Sequence, residues 1–167
     1  YRQAHALQVG LIHAVEEDKV RPNDPSKPRS LVQTLLRAEA LWASPLTRAV
    51  QTALVALEPL LRMPGKQLEL KLNAREKKNF AGLDCIGLAT GPKCFHRALQ
   101  ELRSLDTSDG GPTASDLIEL SKLSVDPGEV EEEWWTKGAD AESEESAGQR
   151  LDELLYQAEH CPADKIV

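Results

Sequence analysis

The sequence predicts an α/β domain with a largely parallel sheet, and three observations carry that prediction. The apolar run Ala40-Leu41-Trp42-Ala43 reads as a buried strand and feeds almost directly into a helical pattern. Residues 67–72 alternate, with Leu68, Leu70 and Leu72 on one side, as a half-buried strand does. Helical segments separate these strands, and the closing Lys165-Ile166-Val167 looks like a strand beginning. Strands alternating with helices favour parallel pairing through crossovers.

The elements follow in chain order. Residues 3–16 carry Ala6, Leu7, Leu11, Ile12 and Val15 and can form a helix, weakened by Gly10. Residues 21–28 are a proline-rich loop with Asn23-Asp24-Pro25 as turn chemistry, and a helix starts at Arg29 or Ser30 with Leu31, Val32, Leu35 and Leu36 inward. After the first strand, Leu46, Ala49, Val50, Ala53, Leu54, Leu57, Leu60 and Leu61 recur at helical spacing, closed by Pro64-Gly65. A charged, glycine-containing loop spans 73–91, residues 93–105 are helical, 107–112 turn, and a shorter helix lies around 115–123. The last helix, about 146–160, gathers Leu151, Leu154, Leu155 and Ala158 on one face.

A length of 167 residues fits one domain with a real core, taken as 1–167. The net charge of −7 is uneven: residues 126–145 hold nine acidic side chains against Lys137 alone, so the remainder is nearly neutral. Residues 106–145 are therefore expected as an acidic cap or insert. Clustered Lys and Arg of the kind that bind nucleic acid are missing from the pattern. No apolar stretch reaches the length of a membrane span, and the N-terminus lacks a basic-then-apolar leader. Cys85, Cys94 and Cys161 are odd in number without CxxC spacing, which fits idle thiols in a reducing compartment, and a cytoplasmic location is expected.

Chemistry concentrates at residues 44–53. Ser44 can accept a bond from an N–H of the first helical turn, and Pro45 suits the first helical position. Arg48 then falls in the first turns, where open N–H groups, the positive end of the helix dipole and a guanidinium converge. That combination suits a phosphate; the plain alternative is a solvated surface arginine.

The wording Ser44-Pro45-Leu46-Thr47-Arg48-Ala49-Val50-Gln51-Thr52-Ala53 resembles the second signature of the histidine phosphatase superfamily, the phosphoglycerate mutase-like proteins. The resemblance implies a three-layer αβα fold with a mostly parallel central sheet, and a phosphoryl-holding role for Arg48. It also implies that the first strand precedes Tyr1 and that the second catalytic histidine lies beyond Val167, so the chain is expected to be incomplete at both ends.

In the family an acidic residue after the strand at 67–72 protonates the leaving oxygen. Glu76, with Leu72-Asn73 before it and Gly82-Leu83 after, is the candidate, and Arg75 is a candidate second anion contact. Arg75 and Lys77 flank Glu76 and would hold it ionised. Trp134-Trp135, Glu142-Ser143 and Arg150 resemble a further run common in such sequences, read here as structural: the tryptophans pack, and Glu142-Ser143 begins the last helix.

The first family motif is Arg-His-Ala or Arg-His-Gly, whose histidine takes the phosphoryl group. Here Arg2-Gln3-Ala4-His5-Ala6 places Gln3 where that histidine belongs, and an amide is no phosphoryl acceptor. Arg2 remains usable as a phosphate-pocket arginine. His5 is a displaced nucleophile, a product of misalignment, or an ordinary histidine. His13, His96 and His160 lack metal-site spacing, so no metal and no cofactor is expected.

The resemblance thus implies a phosphomonoester hydrolase acting through a phosphohistidine on a small phosphorylated molecule, inactive in this chain for want of its histidines. A mutase-type phosphotransferase and a phosphate-binding pseudoenzyme are the alternatives. It names no protein partner.

Overall fold

A computed structural model describes residues 1–20, 35–77, 89–132, 134 and 141–167. The proline-rich loop, the start of the expected helix at 29 or 30, Gly82-Leu83, Cys85 and Trp135 lie outside the described residues.

Three short strands pair in parallel: β1 (Leu41–Ala43), β2 (Leu68–Leu70) and β3 (Val125–Asp126), in the order β1-β2-β3. Both expected strands are present, and β3, only two residues long, is an addition. The closing segment docks on the other side of β1, with a parallel bridge between Ala40 and Ile166. There the Val167 N–H donates to the Ala40 carbonyl (3.0 Å), and the Glu39 N–H donates to the Lys165 carbonyl (2.9 Å). The architecture is a helix-and-strand mixture around a small parallel sheet, as an α/β chain requires.

Residue alternation sorts the two sheet faces. Leu41, Ala43, Leu68 and Leu70 are buried on one face, whereas Trp42 and Glu69, paired in register, lie half-buried on the other. Helix α1 (Arg2–Val20), α2 (Thr47–Ala56) and α4 (Lys93–Arg103) pack together, α2 lying against both others. Val50, Leu54 and Val55 of α2 and Cys94, Ala98, Leu99 and Leu102 of α4 join this core. Each of the buried valines and leucines contributes about 1.5–3 kcal/mol through burial.

Four local readings change on inspection. The long helix from residue 46 onward breaks at Leu57, and a short α3 (Glu58–Leu61) follows. Pro59, near the start of α3, has no N–H to donate and clashes with an α-helical carbonyl four residues back. The first of these helices begins at Thr47, so Ser44 and Pro45 precede it; Leu46 is the N-cap residue without a side-chain bond. Helix α1 buries Ala4 and Leu11 and leaves Leu7 and Ile12 exposed. Its contact stripe includes Gln8, whose amide donates to Glu58 (3.2 Å), and a purely apolar pattern misses such a polar contact.

The fourth change concerns α6 (Glu144–Glu159). Leu151 and Leu155, on the face expected to pack, are 55% and 61% exposed. The inward side is mixed: Arg150 is buried, and Leu154, Gln157 and Ala158 are half-buried. Helical periodicity identifies an apolar face, but only a packed neighbour buries it.

Residues 106–126 run from a turn through a helix to β3, which pairs with β2. Helix α5 (Ala114–Leu120) starts in a capping box, with Thr113 Oγ1 accepting from the Asp116 N–H (3.2 Å) and Asp116 accepting from the Thr113 N–H (2.8 Å). It leads into β3. The turn before it requires glycine at 111, where a Cβ would stand 2.7 Å from the Asp106 carbonyl oxygen. No described helix is long and apolar enough to cross a membrane.

Candidate functional site

The site is built where β1 and β2 end side by side. The Lys71 N–H donates to the Ala43 carbonyl at 2.8 Å, extending the ladder one step past both strands. From Ala43 the chain turns through Ser44-Pro45-Leu46, Ser44 Oγ accepting from the Leu46 N–H at 3.4 Å, and enters α2 at Thr47. Arg48 is thus the second residue of α2. From Lys71 the chain enters a single 3-10 turn (Leu72–Ala74) and presents Arg75, Glu76 and Lys77.

These two turns bring Arg48 and Glu76 into a direct ion pair, with both side chains about half exposed. The two residues come from separate stretches of sequence, 28 positions apart. Arg48 also stands on the rim of an open groove of about 500 Å³ lined by Leu7, Trp42, Ala43, Ala49 and Ala53. The Thr52 hydroxyl donates to the Arg48 carbonyl at 2.9 Å, tying down the first turn of the helix.

The residues on either side of Glu76 have ion pairs of their own. Arg75 donates to the Leu72 carbonyl (3.1 Å) and lies 3.7 Å from Glu142. Lys77 pairs with Glu144. Arg48 is a cation that meets Glu76 directly. Burial lowers the Arg75 pKa from its usual value, and the charge of Arg150 lowers it further, with Glu142 opposing both. Arg75 therefore braces the loop.

A buried polar cluster lies beside the site, built from residues given a structural reading in the sequence. Ser143 caps α6, accepting from the Ser146 N–H at 3.0 Å. Glu142 and Arg150 form a bidentate pair, Nε to Oε1 and Nη2 to Oε2, each 2.6 Å, both side chains nearly fully buried. Arg150 Nη1 then donates to the Asn73 and Arg75 carbonyls, each at 3.1 Å. Trp134 is buried, its indole N–H donating to the Ala89 carbonyl at 2.9 Å.

No family model matches this chain, and no curated protein or solved structure matches it either. The site therefore stands on its own geometry.

The N-terminal candidates sit elsewhere. Arg2 lies against the turn after α4, where a Cβ on Gly110 would be 3.4 Å from Arg2 Nε. Tyr1 shares a small cleft with Glu58, Arg62 and Asp116, and His5 stacks on Tyr1 with ring centroids 5.7 Å apart. Glu58 lies just past the end of α2, whose last residue, Ala56, is about 12 Å along the axis from Arg48 at 1.5 Å per residue. Arg48 and Glu76 meet; His5, stacked on Tyr1, is grouped with the cleft beside Glu58 at the opposite end of α2. Glu129 is a residue that the sequence reading passed over. It accepts from Lys71 Nζ (2.9 Å) and from the Leu72 N–H (3.1 Å), fixing the exit of β2. Its only sequence signal is membership of the acidic run.

Proposed function

We propose that this domain binds the phosphate of a small phosphorylated molecule at Arg48, in a site of the histidine phosphatase type within a phosphoglycerate mutase-like αβα architecture. In that site Glu76 protonates the leaving oxygen of a phosphomonoester. The observation that carries the reading is the Arg48–Glu76 pair at the adjoining ends of two parallel strands. Ligands of open α/β sheets bind outside the carboxyl ends of the strands. A guanidinium there complements phosphate oxygens, and a carboxyl beside it is within reach of a leaving group. The parallel docking of residues 165–167 on β1 supports the same architecture, since the resemblance places a strand after the last helix.

Phosphate or vanadate is expected to raise the melting temperature of the chain, and Arg48→Ala is expected to abolish that rise. Protection that survives the substitution would remove Arg48 from the site.

A second reading, phosphate binding without catalysis, is favoured by one observation. Gln3 and His5 lie within α1, and His5 stacks on Tyr1 at the end of α2 remote from Arg48. A hydrolase or mutase of this type needs an imidazole at the phosphorus. The chain is expected to hydrolyse p-nitrophenyl phosphate no faster than a heat-denatured control. Turnover that disappears in His5→Ala would establish His5 as the nucleophile and restore the catalytic reading.

A further inference from the structure

Helix α6 grips the loop after β2 at three levels. Glu144 pairs with Lys77, Arg150 holds two carbonyls, and Glu153 accepts from the Asn73 amide at 2.9 Å. The middle level reaches the backbone of Glu76 itself. The Arg75 carbonyl belongs to the peptide unit that joins Arg75 to Glu76, so a bond to it orients the Glu76 backbone. The Asn73 carbonyl, bonded to the same Nη1, fixes the preceding turn.

We propose that the buried Glu142–Arg150 pair is a positioning device that sets the loop so that the Glu76 carboxylate meets Arg48. The assignment rests on the proposed function for the role of Glu76 as proton donor; the positioning itself is geometric.

A purely stabilising role explains the arrangement less well. Burying an ion pair costs desolvation of both charges, and well-packed apolar residues often hold a helix as firmly. Apolar residues cannot donate to the Asn73 and Arg75 carbonyls. A planar guanidinium can bind a carboxylate with one edge and two carbonyls with its remaining donors. Glu142 supplies that carboxylate and locks the plane at 2.6 Å on two atoms.

The test uses the whole chain and the Arg48 Nε–Hε cross-peak in 1H–15N spectra. Glu76→Gln defines the position of that peak when the charged partner is removed. Arg150→Lys keeps a positive charge but cannot reproduce the planar set of contacts. It is expected to move the Arg48 peak more than half of the way to its Glu76→Gln position, while the amide peaks of β1 and β2 stay dispersed. A merely structural role would lower the melting temperature and leave the Arg48 peak in place, and that result would overturn the proposal. If Arg150→Lys does not fold, the near-isosteric Glu142→Gln decides. A smaller shift in the same direction supports positioning, and an unmoved peak overturns it. Titration of the wild-type chain with inorganic phosphate separates the two readings. An Arg48 peak insensitive to phosphate would sink the proposed function, whereas the positioning device is read from spectra recorded without phosphate.

Discussion

Glu142→Ala is expected to destabilise the fold by about 3–5 kcal/mol, the usual result of removing one partner from a buried ion pair. The change strands the Arg150 guanidinium among nearly dry surroundings and takes a carboxylate away from Arg75 as well. Small domains are stable by about 5–15 kcal/mol, so the loss is a large share of the total. Urea unfolding followed by circular dichroism measures it. The double variant Glu142→Leu with Arg150→Met should recover part of the loss by removing both charges. Full recovery is not expected, because the Asn73 and Arg75 carbonyls then lose their donor, at about 1–3 kcal/mol for each unsatisfied buried group. A single variant within 0.5 kcal/mol of wild type would contradict the buried pair.

Leu54→Ala is expected to cost about 2–5 kcal/mol, from lost transfer energy and the cavity left behind. Leu54 is fully buried on α2, the helix that packs against both α1 and α4. Leu155→Ala removes the same atoms from an exposed face of α6 and should change stability by no more than about 0.5 kcal/mol. The difference between these two leucines, measured as midpoints in denaturant at constant slope, checks the reassigned face of α6. Equal costs would return Leu155 to the core.

The two leucines also mark how far the sequence could be read. Around Leu54 the helical period and the neighbouring strand agreed, so burial followed from pattern alone. Around Leu155 the period was equally clear, but nothing local says whether another layer covers that face. Arg48 and Glu76 were each picked out by wording, and their meeting depends on β1 and β2 pairing in parallel register. The Glu142–Arg150 contact was hidden for a different reason. Its carbonyl partners lie 75 and 77 residues away in sequence, beyond any periodicity. Strand β3 is two residues long, too short for an alternation to exist. Pro45 was expected at the first helical position, but the helix begins two residues later, at Thr47, and the proline lies in the turn from strand to helix.

The docking of residues 165–167 has a kinetic consequence. Glu39 receives the far end of the chain twice: its N–H donates to the Lys165 carbonyl, and its carboxylate accepts from the Asp164 N–H at 3.0 Å. These partners are about 125 positions apart, so the loop they close contains most of the polypeptide. Contacts of such separation form slowly, because the chain loses the entropy of closure before the bonds reward it. The parallel β1–β2 pair, joined by a crossover through α2 and α3, closes a much shorter loop and is expected to assemble first. Docking of the distant residues 165–167 on β1 is then expected to come late and to complete the edge of the sheet.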